Sequence, residues 1–379
     1  MGVDRKTVLR WIQGQVKSIQ VENAERLATI LNCRIEDLRV ADGELLFASA
    51  EDQKIAAAAL LKSSVMYKLG AVGEWDIIES LLKATIIPNL PLNILGELYN
   101  RLTIASWRQS KMDQSEVFNQ RTLEIALKTK DQVLLASAML SKANLFSWRG
   151  QTLDSIAIYR ECLKIEKYLE PRLLGSIHSN LGGVLFEAGH LDEGLIEVKK
   201  SLVHFKLSGK PINLSIAHTH LALIYLQQNQ IDHSFAEVQK LTHYATQDDY
   251  RRGLHFGKLI SGEIEARKGN FSASASLTDE GLRKFSEMGI DEGLNYEIAG
   301  RTYRLQNALA VAESLIAKGI SISEDFPIYQ AALYVEMAEV LKAQNRTSWK
   351  DQLESSISLY TKCQCPLRVQ MIKQRFELT

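Results

Sequence analysis

The sequence is poor in the features that mark secreted and membrane-spanning proteins. Its 379 residues include four cysteines without a regular spacing, and this usage favours a protein of the reducing cytoplasm. No stretch approaches the roughly 18 consecutive apolar residues of a transmembrane helix. The first residues carry charges and lack the apolar segment of a secretory signal. We therefore expect a cytoplasmic protein that does not act at a membrane.

The sequence also lacks a net charge, because its 45 basic residues balance its 45 acidic residues. A chain without excess charge does not attract nucleic acid as a whole, so any affinity for DNA has to come from a local patch. Residues 1–17 contain such a patch, in which four basic side chains stand against the single acid Asp4.

Signatures of catalysis and of metal binding are missing as well. The sequence has no glycine-rich phosphate loop, no zinc-protease motif and no serine on a nucleophile elbow. Cys363 and Cys365 are separated by one residue and have no second pair, which argues against a zinc site. All eight histidines lie between His178 and His255, where we expect polar or half-buried helix positions. We expect no enzymatic activity, no bound metal and no cofactor.

The basic patch at the N-terminus has the pattern of a short amphipathic helix. Asp4 is a suitable N-cap, and Gly14 fits the C-terminal end of the helix. Arg5, Lys6 and Arg10 share one face, while apolar residues at three- and four-residue spacing form the opposite face. A helix in the major groove presents its N-terminal residues to base edges, where arginine is the commonest reader of guanine.

Residues 2–14 (GVDRKTVLRWIQG) resemble the recognition helix of a Cro/C1-type helix-turn-helix domain, and residues 22–32 and 35–38 resemble the helices that pack beneath it. The resemblance implies that Arg5, Lys6 and Arg10 contact bases. It also implies that Thr7 and Lys17 contact the DNA backbone. The alternative interpretation is a helix with a solvated basic face.

In that family two further helices precede the recognition helix, whereas here Met1 alone precedes Gly2. A fragment of about 40 residues is near the lower size limit of an independently stable domain. Three explanations stay open: a start further upstream, a remnant that packs against the following residues, or completion by a partner chain. We expect DNA as a partner if the module is complete or completed by a partner, with a homodimer reading two half-sites.

From about residue 54 the sequence repeats at close to 40 residues, which predicts an all-α chain of about seven to eight helical pairs. All six prolines fall at predicted helix boundaries, where proline costs no hydrogen bond. A looser continuation of the period places turns near residues 306–307 and 344–345. The turns inside the earlier pairs are marked by Gly70, Ser110, Gly150, Gly189, Asn229 and Gly269.

Residues 180–194 (NLGGVLFEAGHLDEG) and 220–232 are similar to the tetratricopeptide (TPR) signature. The resemblance implies a right-handed superhelix of TPR-like repeats over residues 54–365 and a C-terminal capping helix over 366–379. A partial helix-turn-helix domain at residues 1–40 and a linker at 41–53 would precede it. This order is similar to that of bacterial Rap/PlcR-type regulators, in which the concave face of the superhelix binds a signal.

Stacked helix pairs form an extended groove, and side-chain amides along it can hydrogen-bond the backbone of an extended peptide. The alternative for the asparagines, above all for Asn180, is a structural role, because asparagine is common at that position of TPR units. We expect the first helices of the repeats to supply the groove residues: Asn100, Arg108, Asn144, Arg149, Ser179, Asn180, Gly183, Phe186, Glu187, Leu223 and Gln227.

These features favour a DNA-binding transcriptional regulator whose repeats sense a peptide or protein in their concave groove. The mechanism would be a change of superhelical pitch on binding, which alters the spacing of two DNA-reading helices. The alternative is a TPR adaptor that binds a protein partner and does not bind DNA.

Overall fold

The computed structural model describes residues 50–378, and this part of the chain folds into 18 α-helices without a β-strand. A 3-10 turn, Glu166–Tyr168, follows α7. The helices are α1 (Ala50–Lys62), α2 (Val65–Val72), α3 (Trp75–Ala84), α4 (Leu92–Trp107), α5 (Met112–Thr129), α6 (Gln132–Trp148), α7 (Thr152–Leu163), α8 (Pro171–Ala188), α9 (Leu191–Ser208), α10 (Pro211–Gln227), α11 (Ile231–Gln247), α12 (Arg251–Arg267), α13 (Phe271–Glu287), α14 (Gly293–Leu305), α15 (Leu309–Ile322), α16 (Pro327–Ala343), α17 (Trp349–Lys362) and α18 (Pro366–Phe376). The all-helical prediction is confirmed for the described residues.

The helices from α4 to α17 pair into hairpins, each made of a first and a second helix joined by a tight turn. Every one of these turns contains a residue with a left-handed backbone, at intervals of 38 to 40 residues. Glycine and asparagine dominate the set because they adopt this conformation at little cost. The left-handed residues are Ser110, Gly150, Gly189, Asn229, Gly269, Asn307 and Asn345. The predicted period is confirmed over these seven hairpins.

The first predicted turn lies elsewhere than the sequence indicates. Gly70 is inside α2, and the left-handed residue at the end of that helix is Gly73, with φ at 89°. The reason is the ring of Trp75, which packs so closely on Gly70 that a Cβ there would lie 3.0 Å from it. The glycine at position 70 therefore serves packing, and the turn comes three residues later.

A repeated hydrogen bond sets the register within four hairpins. A buried serine near the start of the second helix donates to a carbonyl of the first helix 12 residues earlier. In α10–α11, for example, the Ser234 hydroxyl donates to the Ala222 carbonyl at 2.9 Å. The same bond is made by Ser115, Ser155 and Ser274. It stabilises a close approach of the two backbones because neither partner is exposed to water.

The hairpin α8–α9 achieves the same approach with two glycines. A Cβ at Gly182 would lie 2.5 Å from Val198 Cγ2 and 2.9 Å from the Gly194 carbonyl oxygen. Gly182 therefore allows the two helices to approach closely. All six prolines also lie at helix boundaries: four begin α8, α10, α16 and α18, Pro91 precedes α4, and Pro88 lies between α3 and α4.

Contacts divide the chain into two compact units, Met1–Ser141 (unit 1) and Lys142–Thr379 (unit 2). The described part of unit 1 has an apolar core that includes Ile78, Leu82 and Leu98. Its nearly buried Glu79 accepts hydrogen bonds from Lys111 and Gln109, both at 2.7 Å. In unit 2, apolar clusters fill the spaces within and between successive hairpins, and one cluster also joins Ala188 of α8 to residues of α16–α18.

By length and composition, none of the described helices could cross a membrane by itself. Residues Lys54–Lys62 and Val65–Val72 meet that criterion when taken together, but a bend of 53° separates them.

Candidate functional site

The first helices of unit 2 form one layer, in which polar side chains of neighbouring helices bond to each other. On α8, the side chains of Asn180, Gly183 and Glu187 follow at three- and four-residue spacing, so they lie on one face. The Asn180 side chain donates to Asn144 Oδ1 on α6 at 2.9 Å. The Tyr159 hydroxyl donates to the same oxygen. Asn144 and Asn180 therefore connect α6, α7 and α8 through hydrogen bonds.

The next contact along this face joins α8 to α10. Ser179 Oγ lies 3.2 Å from His220 Nδ1, and the same ring covers Gly183, where a Cβ would lie 3.4 Å away. Burial lowers the pKa of the His220 ring to about 4, so the ring is neutral at neutral pH. His220 was missed by the sequence analysis, although it occupies the position of Asn180 in the following repeat.

At the C-terminal end of α8, Glu187 meets helices from the other end of unit 2. The Tyr329 hydroxyl of α16 donates to Glu187 Oε1 at 3.0 Å. Arg368 of α18 donates to the backbone carbonyls of Phe186 at 2.6 Å and Glu187 at 2.8 Å. Its guanidinium also lies over the Phe186 ring, 5.5 Å from the centroid. Arg368 therefore adds side-chain donors to two carbonyls of the last turn of α8, of which that of Phe186 also accepts from the Gly189 N–H.

Further contacts connect the same two ends of unit 2. Trp148 at the end of α6 packs edge-to-face on Phe326, with centroids 4.6 Å apart. The Cys365 thiol lies 3.5 Å from Thr152 Oγ1. We call the contacts of Phe326, Tyr329, Cys365 and Arg368 with Trp148, Thr152, Phe186 and Glu187 the closure interface. The cleft that Ser147, Trp148, Glu187, Phe326, Ile328 and Tyr329 line within it has room for about one water molecule.

The environment of Glu187 changes its protonation. Burial raises the pKa of this carboxyl from an ordinary 4.5 to about 7, and the hydrogen bond from Tyr329 and the charge of Arg368 oppose the rise. Glu297 of α14 also faces Glu187 and adds to the rise by like-charge repulsion. Residues of α8, α14, α16 and α18 thus surround one interior, which places a carboxyl group that titrates near neutral pH inside unit 2.

Ion pairs continue the polar layer along the later first helices. Arg252 of α12 binds Glu292, just before α14, through two hydrogen bonds of 2.7 and 2.5 Å. Arg301 of α14 bonds to Glu263 of α12 at 3.0 Å, and it also contacts Glu336 of α16. Glu263 is fully buried. These arginines and glutamates, which the sequence analysis did not single out, connect three successive hairpins.

Two of the histidines are buried in equivalent places of successive repeats. His178 Nδ1 lies 2.6 Å from Glu197 Oε2, and His218 has the same relation to Glu237. Burial acts to raise the pKa of the Glu197 carboxyl, but the hydrogen bonds from His178 and Lys200 outweigh it and hold the pKa below its usual value. These histidines join the two helices of their own hairpins. Within the described residues, no group of three or more histidine, cysteine or acidic side chains could hold a metal ion.

The other predicted groove residues have surroundings of different kinds. Leu223 packs in an apolar cluster with Phe256 and Ile260, and Gln227 is exposed at the end of α10. Arg149 lies in the turn between α6 and α7. In unit 1, Asn100 is buried on α4, and the Arg108 guanidinium lies over the rings of Trp75 and Trp107.

The structure therefore brings together five of the predicted groove residues, namely Asn144, Ser179, Asn180, Gly183 and Glu187, with the backbone of Phe186 beside them. The five predicted DNA contacts, Arg5, Lys6, Thr7, Arg10 and Lys17, lie outside the described residues. Tyr329 and Arg368 gave no signal in the sequence, because their contacts join residues 142 and 181 positions apart.

Comparison with known proteins gives one family match, at the N-terminus, and a set of structural matches. Residues 1–42 match the family model of the Cro/C1-type HTH DNA-binding domain. No curated protein matches the chain. The predicted combination of a helix-turn-helix domain with a TPR-like array is supported by this match and by the solved structures below.

Three solved structures share the fold at low identity. A Rap protein complexed with competence and sporulation factor has a TM-score of 0.62 at 14% identity, and 98% of each chain is covered. The apo form of RapI has a TM-score of 0.53 at 14% identity, covering 71% of this chain and 98% of RapI. Aspartyl phosphate phosphatase F from Bacillus subtilis has a TM-score of 0.52 at 13% identity, covering 99% and 96%. At identities this low, the structural similarity shows a common fold alone.

Proposed function

We propose that the chain is a cytoplasmic transcriptional regulator that binds DNA through residues 1–42 and binds a peptide or protein segment along the first helices of unit 2. The observation that carries the proposal is the Cro/C1-type match ahead of a Rap-like repeat fold. The polar face of α8 supports the second half, because an amide and a carboxyl group at helical spacing suit an extended peptide. One structural neighbour is complexed with competence and sporulation factor.

The DNA-binding half is tested by selection from a pool of random-sequence DNA duplexes. The full chain is expected to enrich one sequence motif, and the double variant Arg5→Ala with Arg10→Ala is expected to lose that enrichment. Lys62→Ala, at the end of α1, is the matched control and should enrich the same motif as the unchanged chain. Absence of any enriched motif would favour the second candidate, an adaptor that binds a protein partner without DNA.

The peptide-binding half is tested with a displayed library of random heptapeptides. Peptides that bind the full chain are expected to bind the Asn180→Ala variant at least tenfold more weakly, since the amide of Asn180 lies on the polar face of α8. The control is Asn270→Ala, which removes an exposed asparagine at the start of α13 and should change the affinity less than twofold. Equal loss in both variants, or in neither, would count against this site.

A further inference from the structure

The two ends of unit 2 touch although the chain does not connect them locally. In an array of stacked repeats, each hairpin contacts its neighbours in sequence. The closure interface is an additional contact, in which α16 and α18 pack on the ends of α6 and α8. Its removal would leave all contacts between successive hairpins in place.

The contacts within this interface are also different in kind from those between successive hairpins. Successive hairpins share buried apolar clusters, such as the one that contains Leu223, Phe256 and Ile298. The closure interface relies on the guanidinium of Arg368, the hydroxyl of Tyr329 and one aromatic pair, while α8 adds the single buried residue Ala188 to the apolar cluster of α16–α18. Carbonyls at a helix end and a tyrosine hydroxyl can exchange such bonds for bonds to water, so their separation costs less than exposing an apolar cluster. The weakest contact of a structure opens first.

The interface also controls access to the polar face of α8. Tyr329 covers the Glu187 carboxylate, and the adjoining cleft has room for about one water molecule. A peptide chain is much wider than one water molecule. It can therefore reach the Glu187 end of α8 when α16 and α18 have moved away.

We propose that unit 2 opens and closes at the closure interface, with α16–α18 separating from α6–α8 while every hairpin stays folded. The opening admits a peptide chain to the face of α8, and this last step rests on the function proposed above. The movement itself does not depend on a ligand, so it is tested with the protein alone.

Two cysteines report on the interface directly. Cys363 and Cys365 are almost completely buried there, with Cys363 Sγ against the turn at Gly150. Burial also raises the pKa of the Cys363 thiol to about 12, which makes the closed state slow to react. Cys162 is equally buried within α7 and takes no part in the closure interface, so it serves as an internal reference for unfolding.

The first experiment compares two arginines of α18 in the full chain. Arg368→Gln replaces the guanidinium that donates to the carbonyls of Phe186 and Glu187 by a shorter, neutral amide, whereas Arg375→Gln breaks an ion pair with Glu339 outside the interface. Alkylation by iodoacetamide is followed for each cysteine by peptide mass spectrometry. We expect Arg368→Gln to accelerate labelling of Cys363 and Cys365 at least tenfold and to leave Cys162 unchanged. Arg375→Gln should change none of the three rates.

Two outcomes of this experiment would overturn the proposal. Unchanged labelling of Cys363 and Cys365 in Arg368→Gln would mean that the contact does not hold the interface. A parallel rise at Cys162 would mean that unit 2 unfolds as a whole.

The second experiment locks the interface instead of weakening it. The 3.5 Å between Thr152 Oγ1 and Cys365 Sγ allows Thr152→Cys to form a disulfide with Cys365 under a disulfide oxidant such as oxidised glutathione. The two thiols give up two protons and two electrons, which convert one oxidised glutathione into two molecules of reduced glutathione. The oxidised variant is expected to label at Cys363 at least tenfold more slowly than its reduced form, with Thr152→Ser as the control. Equal labelling in both redox forms would contradict opening at this interface.

These results separate the movement from the proposed function. If labelling responds as expected but the library yields no peptide, unit 2 opens for another purpose and the proposed ligand is wrong. If a peptide binds equally well to the locked and the reduced forms of Thr152→Cys, the proposed function stands and opening is not its entry route.

Discussion

Glu187 differs from the other acidic residues of the first helices in what its side chain contacts. Glu263 and Glu336 form ion pairs with arginines, as does Glu292 just before α14, whereas the Glu187 carboxylate accepts a hydrogen bond from the neutral Tyr329. Burial without a bonded cation disfavours the charged form, and this is why the pKa of Glu187 rises to about 7. A single residue therefore couples the closed state of unit 2 to pH.

The sign of this coupling follows from the two states. In the closed state the pKa of Glu187 is about 7, and in an opened, hydrated state it returns to the ordinary 4.5. The closed state binds the Glu187 proton more tightly than the opened state. This proton therefore stabilises the closed state fully below pH 4.5, and the stabilisation is lost as the pH rises to 7. The opened fraction is expected to rise by about a hundredfold between pH 5 and pH 8, because one pKa unit corresponds to a factor of ten.

Hydrogen–deuterium exchange of residues 361–368, corrected for the intrinsic pH effect, measures this change. Glu187→Gln carries no charge at any pH and should abolish most of the pH dependence, while the exposed Glu161→Gln should preserve it. The other groups that face Glu187 are Tyr329, Arg368, Glu297, Tyr159 and Cys365. Burial raises the pKa of Tyr329, Tyr159 and Cys365, which keeps these groups protonated in this range. A Glu187→Gln profile as steep as the original would contradict the assignment.

At the scale of the helices, close approach within the hairpins depends on small residues at defined positions. Adjacent glycines of α8 make this testable, because both lie inside the same helix. A Cβ at Gly182 would overlap Val198 and the Gly194 carbonyl, whereas a Cβ at Gly183 would make an ordinary contact with His220. Alanine is favoured over glycine in a helix by about 1 kcal/mol, so this benefit applies equally to both positions.

We therefore expect opposite effects of the two alanine substitutions on thermal unfolding. Gly182→Ala should lower the stability by about 1–3 kcal/mol, since overpacking moves the two backbones apart. Gly183→Ala should leave it unchanged or raise it by up to about 1 kcal/mol. Circular dichroism melting curves of both variants measure the difference. A higher melting temperature for Gly182→Ala than for Gly183→Ala would contradict the packing of this hairpin.

A second prediction at this scale concerns the ion pairs that connect α12, α14 and α16. Arg301→Met leaves the fully buried Glu263 without one of its cations, and breaking a buried pair from one side costs about 3–5 kcal/mol. Arg267 also binds Glu263, so the loss should fall at the lower end of that range. The exposed pair of Arg160 with Glu193 provides the control, and Arg160→Met should change the denaturation midpoint little. Equal effects of the two variants in urea unfolding would contradict a structural role of the buried network.

At the scale of the whole molecule, zero net charge confines the expected DNA affinity to the basic patch of residues 1–17. Each phosphate that a basic side chain neutralises contributes about −0.9 to the slope of log K against log salt concentration. Four basic side chains per subunit therefore predict a slope of about −4. Fluorescence anisotropy with the selected duplex measures the slope, which should fall to about half in Arg5→Ala with Arg10→Ala. A slope that the double variant does not change would assign the DNA contacts to other residues.

The sequence by itself determined the local features of this protein. Turn residues such as Gly189 and Asn229 can be recognised in isolation because their backbone preference is intrinsic. Proline positions and the apolar period are equally local, so the hairpins and their spacing could be predicted. The Cro/C1-type match is also a property of a contiguous segment, residues 1–42. Within the candidate site, the face of α8 could be predicted because helical spacing alone places Asn180, Gly183 and Glu187 side by side.

Only the tertiary structure decided what lies opposite that face. The partners of Phe186 and Glu187 come from α16 and α18, which stand up to 182 residues further along the chain. Small changes in the angle between successive hairpins add up over the array, so no local pattern specifies where its ends meet. Packing against the next hairpin decided that Leu223 is buried in an apolar cluster while Gln227 is exposed. The repeat is a local property, whereas closure of the repeats on themselves, and with it the environment of Glu187, is a property of the folded unit.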